Sequence, residues 1–268
     1  MAEFIDTKNN IAVMVVSCDN YSDIWSSFFH LFNRFWPDCP FPVYLISNQK
    51  KCDIPSVISI TVGEDVSWSD NLQLALDQAK EEFVLMWIDD LFLLNKVNTE
   101  ALLRICSEFI KIQGNYIRLN PTIKADTSFN QYFGLASPGT IYRTSTVLSL
   151  WRKDVLRSLL KKGESAWDFE IFGTVRSDKY AGFYATWRNN FKVLNCIIKG
   201  KWHRYAVKKM VTLGIDIHSD KRKIMTLREH LTTQFLWLRS RLFVLVPSKY
   251  RRQLKDIILR GKYIYKVK

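Results

Sequence analysis

The chain predicts an α/β protein: an open mixed sheet flanked by helices, with a basic helical extension at its C-terminal end. Three observations predict it. Apolar runs of strand length alternate with segments of helical periodicity through the first 120 residues. One of those runs, Phe83–Ile88, stops at two adjacent acids, Asp89 and Asp90. And the charge is lopsided. From Lys199 onward there are 19 Lys and Arg against four acids, so of the net +13 the rest of the chain carries about −2.

The elements follow in order. Residues 11–17, Ile-Ala-Val-Met-Val-Val-Ser, form a continuous apolar run ending in a polar turn, which suits a strand buried on both faces of a parallel sheet. Residues 22–35 place Trp25, Phe28, Phe29, Phe32 and Phe35 on one side of a helix, and Trp36-Pro37-Asp38-Cys39-Pro40 stops it. Strands are expected at 41–47 and 57–62. A helix over 68–82 has Leu72, Leu74, Ala75, Leu76 and Ala79 on its apolar side, and a strand at 83–88 delivers the acid pair. This reads β-α-β-β-α-β. Further on, the pattern predicts a helix over 102–112, a strand over 115–119 and a long loop over 120–140, rich in Asn, Thr, Ser, Gly and Pro. Loops of that length are commonly functional lids. A helix from about 148 to 161, an apolar run at 192–198 and an apolar–basic helical stretch over 223–246 complete the reading.

Composition excludes several classes. The chain has 268 residues and is 47% hydrophobic and 14% aromatic, ample for a buried core. Five scattered cysteines with no Cys-x-x-Cys pair give neither a zinc knuckle nor a disulfide framework, so reduced thiols in the cytoplasm are expected. The polar start is unlike a signal peptide, and no run of 18 apolar residues spans a membrane. Walker, Gly-x-Gly-x-x-Gly, Gly-x-Ser-x-Gly and His-Glu-x-x-His motifs are missing.

Three constellations carry the candidate chemistry. Ser17, Cys18, Asp19 and Tyr21, then Asn48, then Asp89 and Asp90, all fall just after strands, where an open α/β sheet binds its ligands. Trp68 and Asn71 open the helix that precedes the acid strand. A stacking aromatic, hydrogen-bonding groups and a carboxylate pair suit a nucleotide diphosphate held through Mg²⁺ or Mn²⁺. The alternative for Asp19 and Asn48 is ordinary turn chemistry, and for the acid pair a helix cap. In the second constellation, Glu164 to Glu170, the carboxylates Asp168 and Glu170 flank Phe169. A carboxylate among aromatics can act as general base, while helix-start acids can simply oppose the macrodipole. The third, Lys199 to Arg204, is a basic turn with Lys201 and His203, able to neutralise a departing diphosphate or to lie solvated on the surface.

Together these residues resemble the GT-A-fold (Rossmann-like) glycosyltransferases of bacterial surface polysaccharide assembly: capsule, O-antigen and lipooligosaccharide synthesis. The resemblance is carried by Ser17–Trp25, Phe35–Leu45, Trp68–Ala75, Trp87–Phe92, Tyr116–Leu119, Ile141–Arg143, Ser149–Trp151, Glu164–Glu170 and Gly200–Trp202. It implies a catalytic domain over 1–217, with a nucleotide-sugar half to about 114 and an acceptor half from 115, followed by a tail over 218–268. It implies that Asp89 and Asp90 hold a divalent cation, that Glu170, with Asp168 as runner-up, is the base of an inverting transfer, and that Arg143, Lys201 and His203 serve the diphosphate. The chain departs from the pattern at Trp87, where an acid is common, at Ala166, where Pro is expected, and at Ser145-Thr146-Val147.

The function expected is transfer of a sugar from a nucleotide donor, UDP-linked, to a lipid-linked or polysaccharide acceptor, by an enzyme peripheral on the inner face of the cell membrane. Two alternatives stand beside it. One is a nucleic-acid-binding protein using the basic tail. That tail's Leu236, Trp237, Leu238, Leu242 and Phe243 suit an anionic membrane surface better. The other is a sugar-nucleotide nucleotidyltransferase, for which a glycine-rich loop is expected near the start. None occurs over Asp19–Trp25.

Overall fold

Nine strands make one mixed sheet in the computed structural model, which describes residues 7–243 and 245–258. Its order is β3-β2-β1-β4-β9-β6-β10-β8-β7. The parallel half is β3 (Val57–Thr61), β2 (Val43–Ser47), β1 (Ile11–Val16) and β4 (Phe83–Ile88). β1 sends its connection to one side, towards β2 and β3, and β4 lies on the other. The carboxyl ends of β1 and β4 therefore meet at a topological switch point, the place where such sheets bind ligands.

Helix α1 (Ser22–Phe35) packs Phe28, Phe29 and Phe32 against this sheet, where Trp36 and Trp87 close an aromatic cluster. Burying each such ring stabilises by roughly 2–3 kcal/mol. Helix α2 (Trp68–Gln78) is capped by the Ser67 hydroxyl, which accepts from the Asp70 amide, and packs Leu72, Ala75 and Leu76 on the opposite face of the sheet. A short β5 (Leu91–Leu93) and helix α3 (Thr99–Lys111), capped by Asn98, follow the acid pair.

The second half inserts antiparallel strands. β6 (Tyr116–Arg118), β7 (Thr127–Ser128) and β8 (Phe133–Leu135) precede β9 (Ser149–Arg152), which lies between β4 and β6 and runs antiparallel to both. The expected helix from 148 is therefore a central strand followed by a short helix, α4 (Lys153–Leu159). Ser149, Leu150 and Trp151 are all buried, so the strand shows no alternation and its sequence reads as helix start. The expected 120–140 loop contributes β7 and β8 to the sheet edge. β10 (Phe183–Thr186) completes the sheet.

The run at 192–198 splits into β11 (Val193–Asn195), paired with β5, and β12 (Ile197–Ile198), paired with β13 (Lys201–Trp202). Helix α5 (Arg204–Thr212) follows. The packed body does not stop at residue 217. Met225 and Arg222 are buried, and Ile224 bridges to Trp202. Helix α6 (Leu227–Phe243) buries none of its residues, while helix α7 (Ser248–Ile258) returns to the body. Among the described residues, no helix is long and apolar enough to cross a membrane. Residues 259–268 of the expected tail lie outside the described residues.

Candidate active site

β1 delivers Ser17 and β4 delivers Asp89, side by side. Ser17 takes a hydrogen bond from the Trp25 indole at 2.7 Å and donates its own to Asp89 Oδ2. This chain fixes the carboxylate from the first helix. Burial pushes both acids up, Asp89 to about 8 and Asp90 to about 7, with the neighbouring Asp90 charge adding to the rise at Asp89. Asp90 Oδ1 is buried with no hydrogen-bond partner. Two buried carboxylates with an orphaned oxygen are costly unless something positive or proton-bearing meets them. Among the described residues, no group of three His, Cys, Asp or Glu side chains gathers as a metal site. The donors fit a hard cation that takes one or two carboxylates and completes its shell from phosphate oxygens and water.

Around the acids stand the residues of the first turn. Cys18 is half-buried, its thiol pushed up mainly by burial, and it feels the charges of Asp89 and Asp65. Asn71 donates to that Asp65 at 2.8 Å. The Tyr21 phenol is pushed up by burial and by Asp89. Asp19 and Asn48 do something else. The Asp19 carboxylate accepts from the amides of Asn48, Gln49 and Lys50, and Asn48 Oδ1 accepts the Asp19 amide at 3.1 Å. The two side chains lock the loops after β1 and β2 together, which is turn chemistry. Trp68 stacks at 5.4 Å on Phe169, tying α2 to the Glu170 segment.

Sequence reasoning missed Arg222. It is 8% exposed and its guanidinium forks onto Asp23 (2.9 and 2.7 Å). It donates to the carbonyls of Gly200 (3.0 Å) and Asn20 (2.7 Å), and lies 4.4 Å over the Tyr21 ring. It thus clasps the segment after α5 to the first turn, within the field of Asp89. Its only sequence signal is membership of the basic run Lys221-Arg222-Lys223. That run, with Lys50, Lys199 and Lys201, lines a cleft of about 780 Å³ whose other wall is Asp19, Asn20, Ser22 and Asp23. Lys201 itself pairs with Glu229 at the start of α6.

His203 is buried, with both ring nitrogens lacking partners, and stacks 5.0 Å from His230 of α6. Burial, then the His230 charge, pulls it below the ordinary imidazole value. Its amide donates to Cys196 O, and the Cys196 amide donates to Asp90 O, so His203 is wired to the acid turn through two backbone bonds of 2.8 Å.

Glu170 sits in a single π-helical turn, Phe169–Gly173, a feature common at functional sites. Its Oε1 accepts from Ser145 Oγ (3.2 Å), the Thr146 amide (3.1 Å) and Thr146 Oγ1 (3.3 Å). Those donors belong to the loop entering β9. Because β9 runs antiparallel to β4, that loop emerges at the same sheet edge as Asp89. Asp168 is turned to another task. It completes a capping box with Ser165, accepting from its amide and hydroxyl.

Arg143 corrects an expectation. It is 2% exposed, and its guanidinium donates to the carbonyls of Ala136 (2.8 Å), Ser177 and Tyr180 (2.9 Å) while lying 4.1 Å over Phe183. All three nitrogens donate to backbone carbonyls and the side chain is buried, so it staples the loops around Ala136, Ser177 and Tyr180 together.

No family model matches the chain, and no curated protein sequence matches it. Solved structures show distant likeness. TarS 1–349 of S. aureus in complex with UDP-GlcNAc is 14% identical over 90% of this chain and 77% of that one, with a TM-score of 0.45. The mannosyltransferase PcManGT of Pyrobaculum calidifontis, in complex with GDP-Man and Mn²⁺, is 10% identical over 94% and 75%, at 0.48. UTP-bound UGPase of Acinetobacter baumannii is 11% identical over 85% and 98%, at 0.47. In another match the chain spans 60% of the length of TarS 1–349, and it spans 36% of the longer TarS chain. Likenesses this distant assign no activity.

Proposed function

We propose that the protein is a GT-A-type glycosyltransferase that moves a sugar from a nucleotide donor, UDP-linked, to a hydroxyl of a lipid-linked or polysaccharide acceptor. The observation that carries this reading is the buried pair Asp89–Asp90 at the switch point, fixed by Ser17 and flanked by a cleft rich in lysine. Buried carboxylates beside a basic cleft suit a ligand that brings both a cation and a polyphosphate. A bound Mn²⁺ or Mg²⁺ would be held by Asp89 and Asp90 and would supply charge neutralisation for the leaving diphosphate.

The chain's own residues supply the rest. Tyr21, Cys18, Asn71 and Trp68 border the donor. Lys50, Lys199, Lys201, Lys221 and Lys223 offset the charge of the departing nucleotide diphosphate. Glu170, aimed by Ser145 and Thr146, takes the proton of the acceptor hydroxyl as that oxygen attacks the anomeric carbon. The displacement is direct and inverts the configuration. Holding donor and acceptor together supplies much of the acceleration.

The outer face of α6 supports a membrane-bound acceptor. Leu227, Leu231, Phe235, Leu238 and Leu242 are exposed along one side of α6 and Leu236 and Trp237 on its other sides, with Arg228, Arg239 and Arg241 among them. The opposite side carries Glu229 and His230, which meet the body. An apolar stripe flanked by arginines suits the headgroup boundary of an anionic bilayer. A nucleotidyltransferase is the weaker reading, because the turn after β1 contains no glycine to wrap a triphosphate.

The test is a thermal-shift panel of UDP-, GDP- and dTDP-sugars with and without Mn²⁺, followed by donor-hydrolysis assays with the sugars that bind. Stabilisation by one nucleotide class, strengthened by Mn²⁺, is expected. Binding of free nucleoside triphosphates with release of pyrophosphate would overturn transfer in favour of nucleotidyl chemistry.

A further inference from the structure

Trp167 stands 76% exposed, two residues from Phe169, which is fully buried. A single apolar side chain on the surface is ordinary. An indole this exposed on a turn with so little freedom to move is a different matter. Ser165 and Asp168 close a capping box around it, Asp168 Oδ2 accepting from the Ser165 amide at 3.3 Å and from its hydroxyl at 2.8 Å. Glu164, just before the box, is largely buried and forks onto Arg176 at 2.7 and 2.6 Å. Phe169, just after it, packs its ring 5.4 Å from Trp68 and 6.0 Å from Trp151. The turn is pinned on both flanks, and the indole is the part left in solvent.

The pins also place the turn. Helix α2 follows β3 and leads into β4, and those strands run parallel, so its first residues stand at the carboxyl edge of the sheet, where Ser17 and Asp89 lie. Those residues hold the turn. Ser69 donates its amide to Glu164 O at 3.1 Å and accepts the Glu164 amide on its hydroxyl at 3.0 Å, and Asp70 Oδ2 accepts the Gly163 amide at 2.9 Å. Beyond Ser165 the backbone is helical: the Phe169 amide donates to Ser165 O at 2.9 Å, and Asp168 and Phe169 have φ of −62° and −61°. Trp167 and Glu170 are three residues apart along this helix, so they are neighbours on one face, about 5–6 Å between Cβ atoms.

We propose that Trp167 is the platform for the sugar ring of the acceptor and holds that ring with a hydroxyl towards Glu170. This rests on the glycosyltransferase reading with Glu170 as base. The ligand class follows from the chemistry of the surface. The C–H bonds on one face of a pyranose ring form a small apolar patch that an indole face covers, while the hydroxyls around the rim stay with water and polar side chains. Tryptophan supplies that area at little entropic cost, having two side-chain torsions, and the pinned turn removes the backbone's share. Because Glu170 takes the proton of the attacking hydroxyl, the ring beside it is the acceptor's and not the donor's.

The first arm of the experiment needs no donor. The full chain is labelled with fluorotryptophan, the Trp167 fluorine signal is assigned from Trp167→Phe, and methyl glycosides of glucose, galactose, mannose and N-acetylglucosamine are titrated in. At least one is expected to move the Trp167 signal while those of the buried Trp36, Trp87 and Trp151 stay in place. If none moves it, the platform is overturned. The second arm takes the glycoside that moves it most as acceptor, with the donor chosen by thermal shift. Trp167→Ala is expected to raise acceptor KM about tenfold or more, the scale of returning one aromatic face to water. Its kcat and donor KM should stay within about twofold, the pattern of lost acceptor binding, and Trp167→Phe should recover most of the loss. An equal rise in both KM values, or a fall in kcat with neither changed, overturns the acceptor assignment. The melting temperature of Trp167→Ala should stay within about 2 °C of wild type, since the side chain is exposed, and a larger fall makes Trp167 a structural residue. If a glycoside moves the Trp167 signal but no nucleotide sugar is turned over, the glycosyltransferase reading fails and the sugar platform stands. If Glu170→Gln transfers normally while the KM effect persists, the base assignment fails alone.

Discussion

Asp90→Asn separates the two demands placed on the acid pair. Burial raises the folded-state value of Asp90 from 3.8 to about 7. A raised acid is stable in its protonated form. The contribution is therefore full below about pH 4 and is lost as the pH climbs to about 7, where the folded carboxyl ionises. Three units at about 1.4 kcal/mol each set a ceiling of about 4 kcal/mol on that loss. Asparagine keeps the shape and does not ionise. In EDTA, wild type and Asp90→Asn should melt together near pH 4 and diverge by pH 8, the variant higher by up to about 8 °C, taking about 2 °C per kcal/mol for a chain of this size. Mn²⁺ should raise the wild-type melting temperature at pH 8, by about 2.7 kcal/mol's worth at a hundred times its Kd, and should leave the variant unmoved. Transfer activity should fall at least ~100-fold in the variant, the scale of one lost transition-state stabiliser. Parallel melting curves from pH 4 to 8 would refute the burial argument. A Mn²⁺ shift retained by Asp90→Asn would refute its role as ligand.

Other substitutions test other parts of the site. Arg143→Met should cost about 3–5 kcal/mol, because three backbone carbonyls lose their donors, and nucleotide affinity of the folded variant measured by calorimetry should not change. Arg222→Met strands the Asp23 carboxylate, which is 13% exposed in its pair, and should cost about 3 kcal/mol; denaturant titration should show much of it returned by adding Asp23→Asn. Glu170→Gln should cut the transfer rate by roughly 10²–10⁴ while donor binding stays near normal, and a loss of donor affinity instead would make it a donor-side residue. Leu231→Glu with Leu238→Glu should abolish sedimentation with anionic vesicles and leave the melting temperature within about 2 °C of wild type, since both side chains are exposed.

The first, parallel half of the fold was legible because its signals are local. β1, β2 and β4 are continuous apolar runs, and each ends in the polar residue that the sheet presents at its edge. Ser17 and Asp89 could be placed this way from order alone. The acceptor half was not legible for the opposite reason. β9 is four residues long and buried on both faces, so its Ser-Leu-Trp-Arg carries no period. The roles of Asp19 and Asp168 were open in the sequence because a carboxylate that caps a turn and one that meets a ligand have the same composition. Only hydrogen-bond partners separate them. Arg143 was misplaced for a similar reason. A lone arginine after a Gly- and Pro-containing loop reads as a surface cation, and nothing local shows that Ala136, Ser177 and Tyr180 converge on it.

The C-terminal extension was expected as an appendage, and its contacts tie it into the packed body at several points. Arg222 binds the first turn, Glu229 and His230 bind the basic turn at Lys201 and His203, and Arg252 with Lys255 binds Asp178 and the Tyr142 ring. The segment therefore touches the first turn, the basic turn and the loop at 139–142 in turn, with the exposed apolar residues of α6 between those anchors. A chain cut near Asp220 would lose the apolar residues of α6, the Asp23 clasp and the Arg252–Asp178 pair together. Its inactivity would say nothing about lipid. Point changes divide these contacts: glutamates on α6 address the proposed bilayer contact, and Arg252→Met addresses the seat of α7 on Asp178. If the tail only tethers, the stripe variant should recover full transfer on a soluble acceptor fragment. Continued loss there would mean that membrane contact also sets the position of α7 on Asp178 and Tyr142, and the two anchors would then have to be treated as one mechanical unit.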